Sequence, residues 1–463
     1  MRKNGIVILY KQEEYPMKKL CLLLVLVMAL GLPACGKSET KTDTKKETTS
    51  QTKEEVTIEE EVFSDAVKIE LSNSEILVNG EKISEDTESA VYKANDIIFY
   101  LEDQGFTYGK GTKKDEHSQI EANAHTVVHI TEPGIYEFSG TLEAGQIFVD
   151  LGDGTKNEEE AVATLVLNNA NITCTVAPAI LFYRTYECAG DVEKEDAVMN
   201  VDTSTAGANI VLAEESKNKI YGSYVAEIYE EYELSEDGTE VTDSKKLHKY
   251  DGAIYSRRSM NISGNGKLEV VAENEGIGTE MHMTINGGDI HIKSGNDGIN
   301  ARKDDISVFT MNAGELSIQV TGETGEGDGI DSNGWLVING GDVKSYACAT
   351  SMDAGVDADK GIYINGGTVA ATGNMPAEIA DGKLTAMIFS SKEQLEAGEK
   401  YEVKNAEGDV IMEISPKNAC TMLTVASETI IAEDTYTLWQ DSTELAVGFS
   451  GPMEMFHPGK TKK

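Results

Sequence analysis

The sequence predicts an all-β protein built as a parallel β-solenoid, with a β cap at each end. Three observations carry that expectation. An Asn/Gly turn phrase followed by a β-rich run recurs around Asn286, Asn312, Asn339 and Asn365, in steps of 26, 27 and 26 residues. A second phrase is interleaved with it: EGI at Glu275, DGI at Asp297, DGID at Asp328 and AGVDAD from Ala354. The chain of 463 residues holds 44 glycines, 8 prolines and only 6% aromatics, which suits short strands and turns better than helices. A fixed period near 26 implies that each repeat buries its apolar face against its neighbours.

The elements follow in chain order. Residues Met17–Cys35 place a basic pair, Lys18 and Lys19, before an apolar run that ends in LPAC. The run is too short for a retained membrane span. It resembles a bacterial lipoprotein signal, with Cys35 as the lipidated residue and Met17 as a candidate start. The expected location is therefore the extracellular face of a bacterial membrane, held by a lipid anchor only. Residues 36–55 are rich in Lys, Thr, Ser and Glu without an apolar pattern, which predicts a disordered tether. Residues 56–125 contain short alternating runs, such as Val67–Leu71 and Glu75–Val78, with a hairpin signal at Asn79. They read as an N-terminal β cap covering otherwise unpaired strand edges.

The repeat region is expected over 126–374. Two strands are predicted within Thr126–Asp150, a pair at Ala163–Leu167 and Asn171–Val176, and another strand at Asn209–Leu212. An acidic, Tyr-rich stretch at 221–249 interrupts the rhythm and reads as an inserted excursion or loop. After 374 the pattern changes: Thr385–Ser390, Tyr401–Val403, Val410–Ile414 and Thr421–Val425 predict antiparallel strands of a C-terminal β cap over 375–445. A tail fills 446–463.

Net charge is −40, from 80 acidic and 40 basic residues. Removing residues 1–35, with five basic and two acidic side chains, leaves −43. That balance argues against nucleic-acid binding and against unaided binding of any polyanion. Beyond Cys35, the cysteines are Cys174, Cys188, Cys348 and Cys420, whose spacing fits no zinc pattern. Export permits a Cys174–Cys188 disulfide, and buried free thiols fit equally well.

The second phrase carries the chemistry. Aligned on Ile277, Ile299, Ile330 and Val356, the next position reads Gly278, Asn300, Asp331 and Asp357. Two residues further lie Glu280, Arg302, Asn333 and Asp359. Side chains at i and i+2 of a strand share a face. Asp331/Asn333 and Asp357/Asp359 thus form a two-by-two oxygen patch, flanked by Asp328 and Asp353 and extended by Asp297 and Asn300. Stacked carboxylates repel unless protonated, splayed into water or bridged by a cation. An all-oxygen set without His or Cys points to Ca²⁺. Solvated Asp-Gly turns are the competing explanation.

NDGI, GDGIDSN and AGVDAD, interleaved with INGG turns, resemble a bacterial family of extracellular carbohydrate-binding β-helix proteins related in shape to pectate lyases. Ile130–Leu151 and Ile364–Met375 are similar to it as well. The resemblance implies a right-handed parallel β-helix with bound calcium that binds cellulose or acidic sugars such as polygalacturonate, without established catalysis. It carries the metal role to Asp297, Asp328, Asp331, Asp357 and Asp359. The expected protein is a monomeric, calcium-dependent polysaccharide-binding surface lipoprotein. A pectate-lyase-like enzyme, with Arg302 or Lys303 as base, is the first alternative, and a purely structural surface solenoid the second. Arg302, Lys303, Trp335 and Tyr255 are the candidate sugar contacts.

Overall fold

The turn phrase sets each corner of the fold. Its second glycine adopts a left-handed backbone, with φ of +100° at Gly288 and +90° at Gly341, where a side chain would be strained. The glycine of the interleaved phrase is needed for a different reason. A Cβ on Gly298 would press against the Gly329 carbonyl and the Ile318 side chain, so the next repeat can approach only a bare backbone.

A computed structural model describes residues 63–432 and 434–450. The expected signal, Cys35 and the tether at 36–55 lie outside the described residues, as does most of the expected tail. Among the described residues the chain is all-β, with one short helix (Gln119–Asn123) and a three-residue 3-10 turn (Thr155–Asn157). Each repeat from Gly252 to Gly373 contributes one strand to each of three parallel ladders. The first ladder runs Ile180–Arg184, Gly252–Ser256, Glu275–Thr279, Ile299–Ala301, Ile330–Ser332 and Val356–Ala358. The second runs Met260–Gly264, Met283–Ile285, Val308–Met311, Trp335–Ile338 and Ile362–Ile364. The third runs Lys267–Ala272, Asp289–Ser294, Glu315–Val320, Asp342–Tyr346 and Thr368–Gly373.

The core is a set of side-chain rows running across these ladders. Ile180, Ile254, Ile277, Ile299, Ile330 and Val356 are register partners in sequence, and all are fully buried. Parallel strands stack like on like, so one β-branched residue type fills the row with matched shape. Replacing Ile299 by Ala removes a fully enclosed side chain from this row. We expect a loss of roughly 2–5 kcal/mol, read by denaturant unfolding.

Both ends of the stack are closed by a change of strand direction. At the start, Val91–Ala94 lies antiparallel on Thr126–Ile130, and Leu77–Val78 turns through Asn79 and Gly80 into Glu81–Lys82. At the other end, Thr368–Gly373 pairs antiparallel with Cys420–Ala426, which pairs with Ala386–Leu395. A four-stranded antiparallel sheet follows, built from Tyr401–Lys404, Val410–Ile414, Thr437–Gln440 and Thr443–Val447, with its own core of Tyr401, Val403, Tyr436 and Leu438.

Several details differ from the sequence reading. Thr126–Asp150 holds three strands, and Ala163–Cys174 is one continuous strand passing through Asn169 at φ +60°. The excursion at 221–249 is a regular hairpin in which Val225–Leu234 pairs with Val241–Tyr250. Its turn carries an Asp237–Gly238 pair, a hairpin signal masked by the acidic composition. Cys174, Cys188, Cys348 and Cys420 are all free, so the permitted Cys174–Cys188 disulfide is absent.

Candidate functional site

On the outward side of the first ladder, one row of register partners reads Tyr92, His129, Phe148, Leu181, Tyr255, Gly278, Asn300, Asp331 and Asp357. The first five are apolar or aromatic, with Tyr92 stacked on His129 at 4.4 Å between ring centroids. The last three are oxygen donors. The expected register of Asp331 over Asp357, and of Asn300 over Asp331, holds in the structure.

The carboxylates two or three positions earlier in each repeat join this row. The Asp328 N–H donates to Asp297 Oδ1 at 2.8 Å, and the Ala354 N–H donates to Asp328 Oδ1 at 2.6 Å. Asn300 Nδ2 donates to Asp297 Oδ2 at 2.9 Å and to Glu275 Oε1 at 3.1 Å. Each acidic side chain therefore spends one oxygen fastening a neighbouring repeat or amide and keeps the other for further use. Glu275 Oε2 and Asn300 Oδ1 are buried without a hydrogen-bond partner. Asp353 is braced by the Gly327 N–H at 2.6 Å and by the Ser351 hydroxyl. Asn333 donates to Asp304 Oδ1 and to the Arg302 carbonyl, and Asp359 sits at the exposed margin.

Six carboxyls, from Asp251, Glu275, Asp297, Asp328, Asp331 and Asp357, face two cations in this region. Arg302 is ion-paired with Asp251 and lies 4.0 Å from Glu275, and Lys249 Nζ is 3.2 Å from Asp251 Oδ2. Burial pushes the Asp297 carboxyl up to about 6, Asp331 to about 8 and Asp328 to about 9. Neighbouring carboxylates add to the rise. Glu275 is raised well above its usual range, and Asp357 is raised too, both by burial first. Burial also lowers the Lys249 ammonium to about 8. A row of charges ~4.8 Å apart repels by about 3.5 kcal/mol per pair at an effective dielectric of 20.

The donor chemistry fits a hard divalent cation: oxygens only, several with unused lone pairs, and two orphaned in the interior. No three Asp, Glu, His or Cys side chains among the described residues converge on one point as a closed cage. The oxygens are instead distributed along the row, one or two per repeat.

Two expected sugar contacts are corrected. Tyr255 is 1% exposed, covered by Tyr250 at the base of the hairpin, with 5.6 Å between ring centroids, so it offers no platform. Trp335 belongs to the second ladder rather than the acidic row, and Lys360 Nζ lies 4.5 Å from its ring centroid. Lys303 is exposed, with its backbone N–H donating to Ser307 Oγ. Arg302 lies inside the acidic region and is engaged there. Sequence reasoning missed Glu275, Asp251 and Lys249 as members of the site. Glu275 occupies the phase of Asp297 and Asp328, so alignment on Ile277 could have found it. Lys249 arrives from the hairpin, a contact no periodicity encodes.

Comparison with known proteins places the chain in a family. The profile described as carbohydrate-binding domain-containing protein matches residues 124–434, more than half of the chain, and the chain belongs to that family. A relative from Acetivibrio thermocellus, also described as a carbohydrate-binding domain-containing protein, is 36% identical over 168 residues. That match covers 36% of this chain and 45% of the relative, so the chain spans less than half of the relative's length. A solved structure described as the polysaccharide lyase-like protein from C. thermocellum, gadolinium derivative, shares 24% identity over 65% of this chain and 92% of that one, with a TM-score of 0.36.

Proposed function

We propose that this protein is a calcium-dependent polysaccharide-binding protein whose ligand is an acidic glycan of the polygalacturonate type. The observation that carries this reading is the buried oxygen row, in which six carboxyls meet two cations and two oxygens lack partners. Bound calcium would supply the positive charge that lets a uronate carboxylate approach a chain of net charge −40. Asp297, Asn300, Asp328, Asp331 and Asp357 would hold the ion, with Glu275 behind them and Asn333, Asp353 and Asp359 at the margin. Asp297 and Asp328 also order the donors, because each is fixed by a backbone N–H of the following repeat.

The supporting frame is read as a right-handed parallel β-helix. Its consecutive same-direction strands need crossovers, and such connections are right-handed in ~98% of cases. Lipidation at Cys35 and the tether at 36–55 would hold a monomeric domain off the outer face of the membrane. The reading is of a binder. Arg302 is engaged with Asp251, which leaves it poorly placed to remove a proton from a sugar.

Retention on a polygalacturonate gel tests the proposal. We expect calcium-supported retention that a chelator abolishes, with no rise in absorbance from unsaturated uronate products. Retention that persists in chelator would remove the cation bridge, and product formation would replace the binder with a lyase.

A further inference from the structure

We propose a second polysaccharide site, on the outward side of the second ladder, that takes an extended uncharged glycan without any cation. The segment 199–204 lies over that ladder and encloses a groove of about 420 Å³. Its floor is the outward row Thr284, Thr310 and Val337, and one edge is the turn row Asn286, Asn312 and Asn339. Thr203 ties the covering segment down at one end, with its hydroxyl within 2.8 Å of Asn261 Oδ1 and 2.7 Å of Thr284 Oγ1. Beyond that closure the floor continues past Val337 to its register partner Tyr363, which is half-buried on the same side.

The asparagines form a directional chain. Asn312 Nδ2 donates to Asn286 Oδ1 at 2.8 Å, Asn339 to Asn312 at 2.9 Å, and Asn365 to Asn339 at 3.0 Å. A primary amide has two N–H groups and two acceptor lone pairs. At Asn312 and Asn339 the chain uses one of each, leaving one donor and one acceptor per repeat at an exposed position. Those pairs recur every ~4.8 Å along the stack, close to the length of one sugar unit in an extended chain. A row of vicinal hydroxyls is matched by such a donor–acceptor series.

The rest of the lining sets the ligand class. Met199, Val201 and Val337 offer apolar surface to the C–H faces of a sugar ring. No Lys or Arg is among the lining residues, and the single charged group, Asp202, already accepts from the Ser204 N–H at 2.9 Å. A uronate would meet no counter-charge here, whereas an uncharged sugar leaves no charge unpaired. The volume lies within the usual range for small-ligand clefts, about 300–1,000 Å³. This site goes beyond the calcium-dependent reading: it uses other residues, another ladder and another ligand class.

Titration calorimetry with cellohexaose, xylohexaose and mannohexaose, all in chelator, tests it. The wild-type protein should bind at least one of the three. Thr310→Arg, which fills the groove from a half-exposed floor position, and Ser204→Trp, which fills it from the cover, should each weaken that binding ~tenfold or more. Both variants should keep wild-type melting and calcium-supported retention on polygalacturonate. If Thr310→Arg fails to fold, the exposed Ser204 variant decides. Absence of binding to all three sugars in chelator overturns the proposal, as does unchanged affinity in a folded variant. Neither outcome touches the polygalacturonate reading, which stands or falls on its own chelator experiment.

Discussion

Raising the pH of the calcium-free protein from about 5 to about 8.5 will lower its melting temperature, and calcium will restore it most at the alkaline end. The cause is the buried carboxyl row. Asp297, Asp331 and Asp328 titrate in the folded chain at about 6, about 8 and about 9, far above an unfolded aspartate. A carboxyl whose folded pKa is raised contributes its stability fully below the unfolded value. That contribution is lost as pH climbs through the folded values, because the native state must then either hold its protons or carry unshielded charge. The window runs from about 4 to about 9, and each tenfold difference in proton affinity between folded and unfolded chain is worth ~1.4 kcal/mol. A fall in melting temperature of roughly 5 °C or more is expected from calorimetry in chelator. Asp328→Asn should flatten the slope. A chelated wild-type protein with equal melting at both ends of the window would contradict the assignment.

Replacing Asp331 and Asp357 together by Asn will move stability and metal binding in opposite directions. The two are register partners on adjacent strands, so removing both charges relieves a repulsion of about 3.5 kcal/mol at an effective dielectric of 20. The calcium-free double variant should therefore melt higher than the wild type. Calcium affinity should fall tenfold or more, an energy of ~1.4 kcal/mol or greater, and polygalacturonate retention should fall with it. Titration calorimetry and melting curves on the same preparation read both effects. A variant that melts lower and binds calcium normally would show that these residues serve packing alone.

The acidic row was legible because its spacing repeats that of an independent phrase. The step from Asp331 to Asp357 equals the step from Asn339 to Asn365, and the pairing of Asp331 with Asp357 follows that arithmetic. The antiparallel C-terminal strands were legible for local reasons, since alternating runs and Gly turns mark them directly. What escaped were the contacts made by non-periodic chain. The hairpin delivers Lys249 to the acidic region and Tyr250 onto Tyr255. Its composition reads as a solvated loop, and only its pairing partners decide otherwise. Tyr255 was placed on the correct side of its strand, but its accessibility depends on that non-periodic cover. The groove beneath 199–204 escaped for the same reason: its floor is periodic and its roof is not.

The backbone N–H groups captured by Asp297 and Asp328 have a mechanical consequence. Load applied along the stack, as when a surface protein is pulled by the polymer it holds, would peel repeats from an end one at a time. The same carboxylates that would hold the ion also fasten each repeat to the next, so grip and tensile strength come from one set of oxygens. A cation seated there would act as a rivet through the stretch between Asp297 and Asp357, stiffest where the polymer pulls.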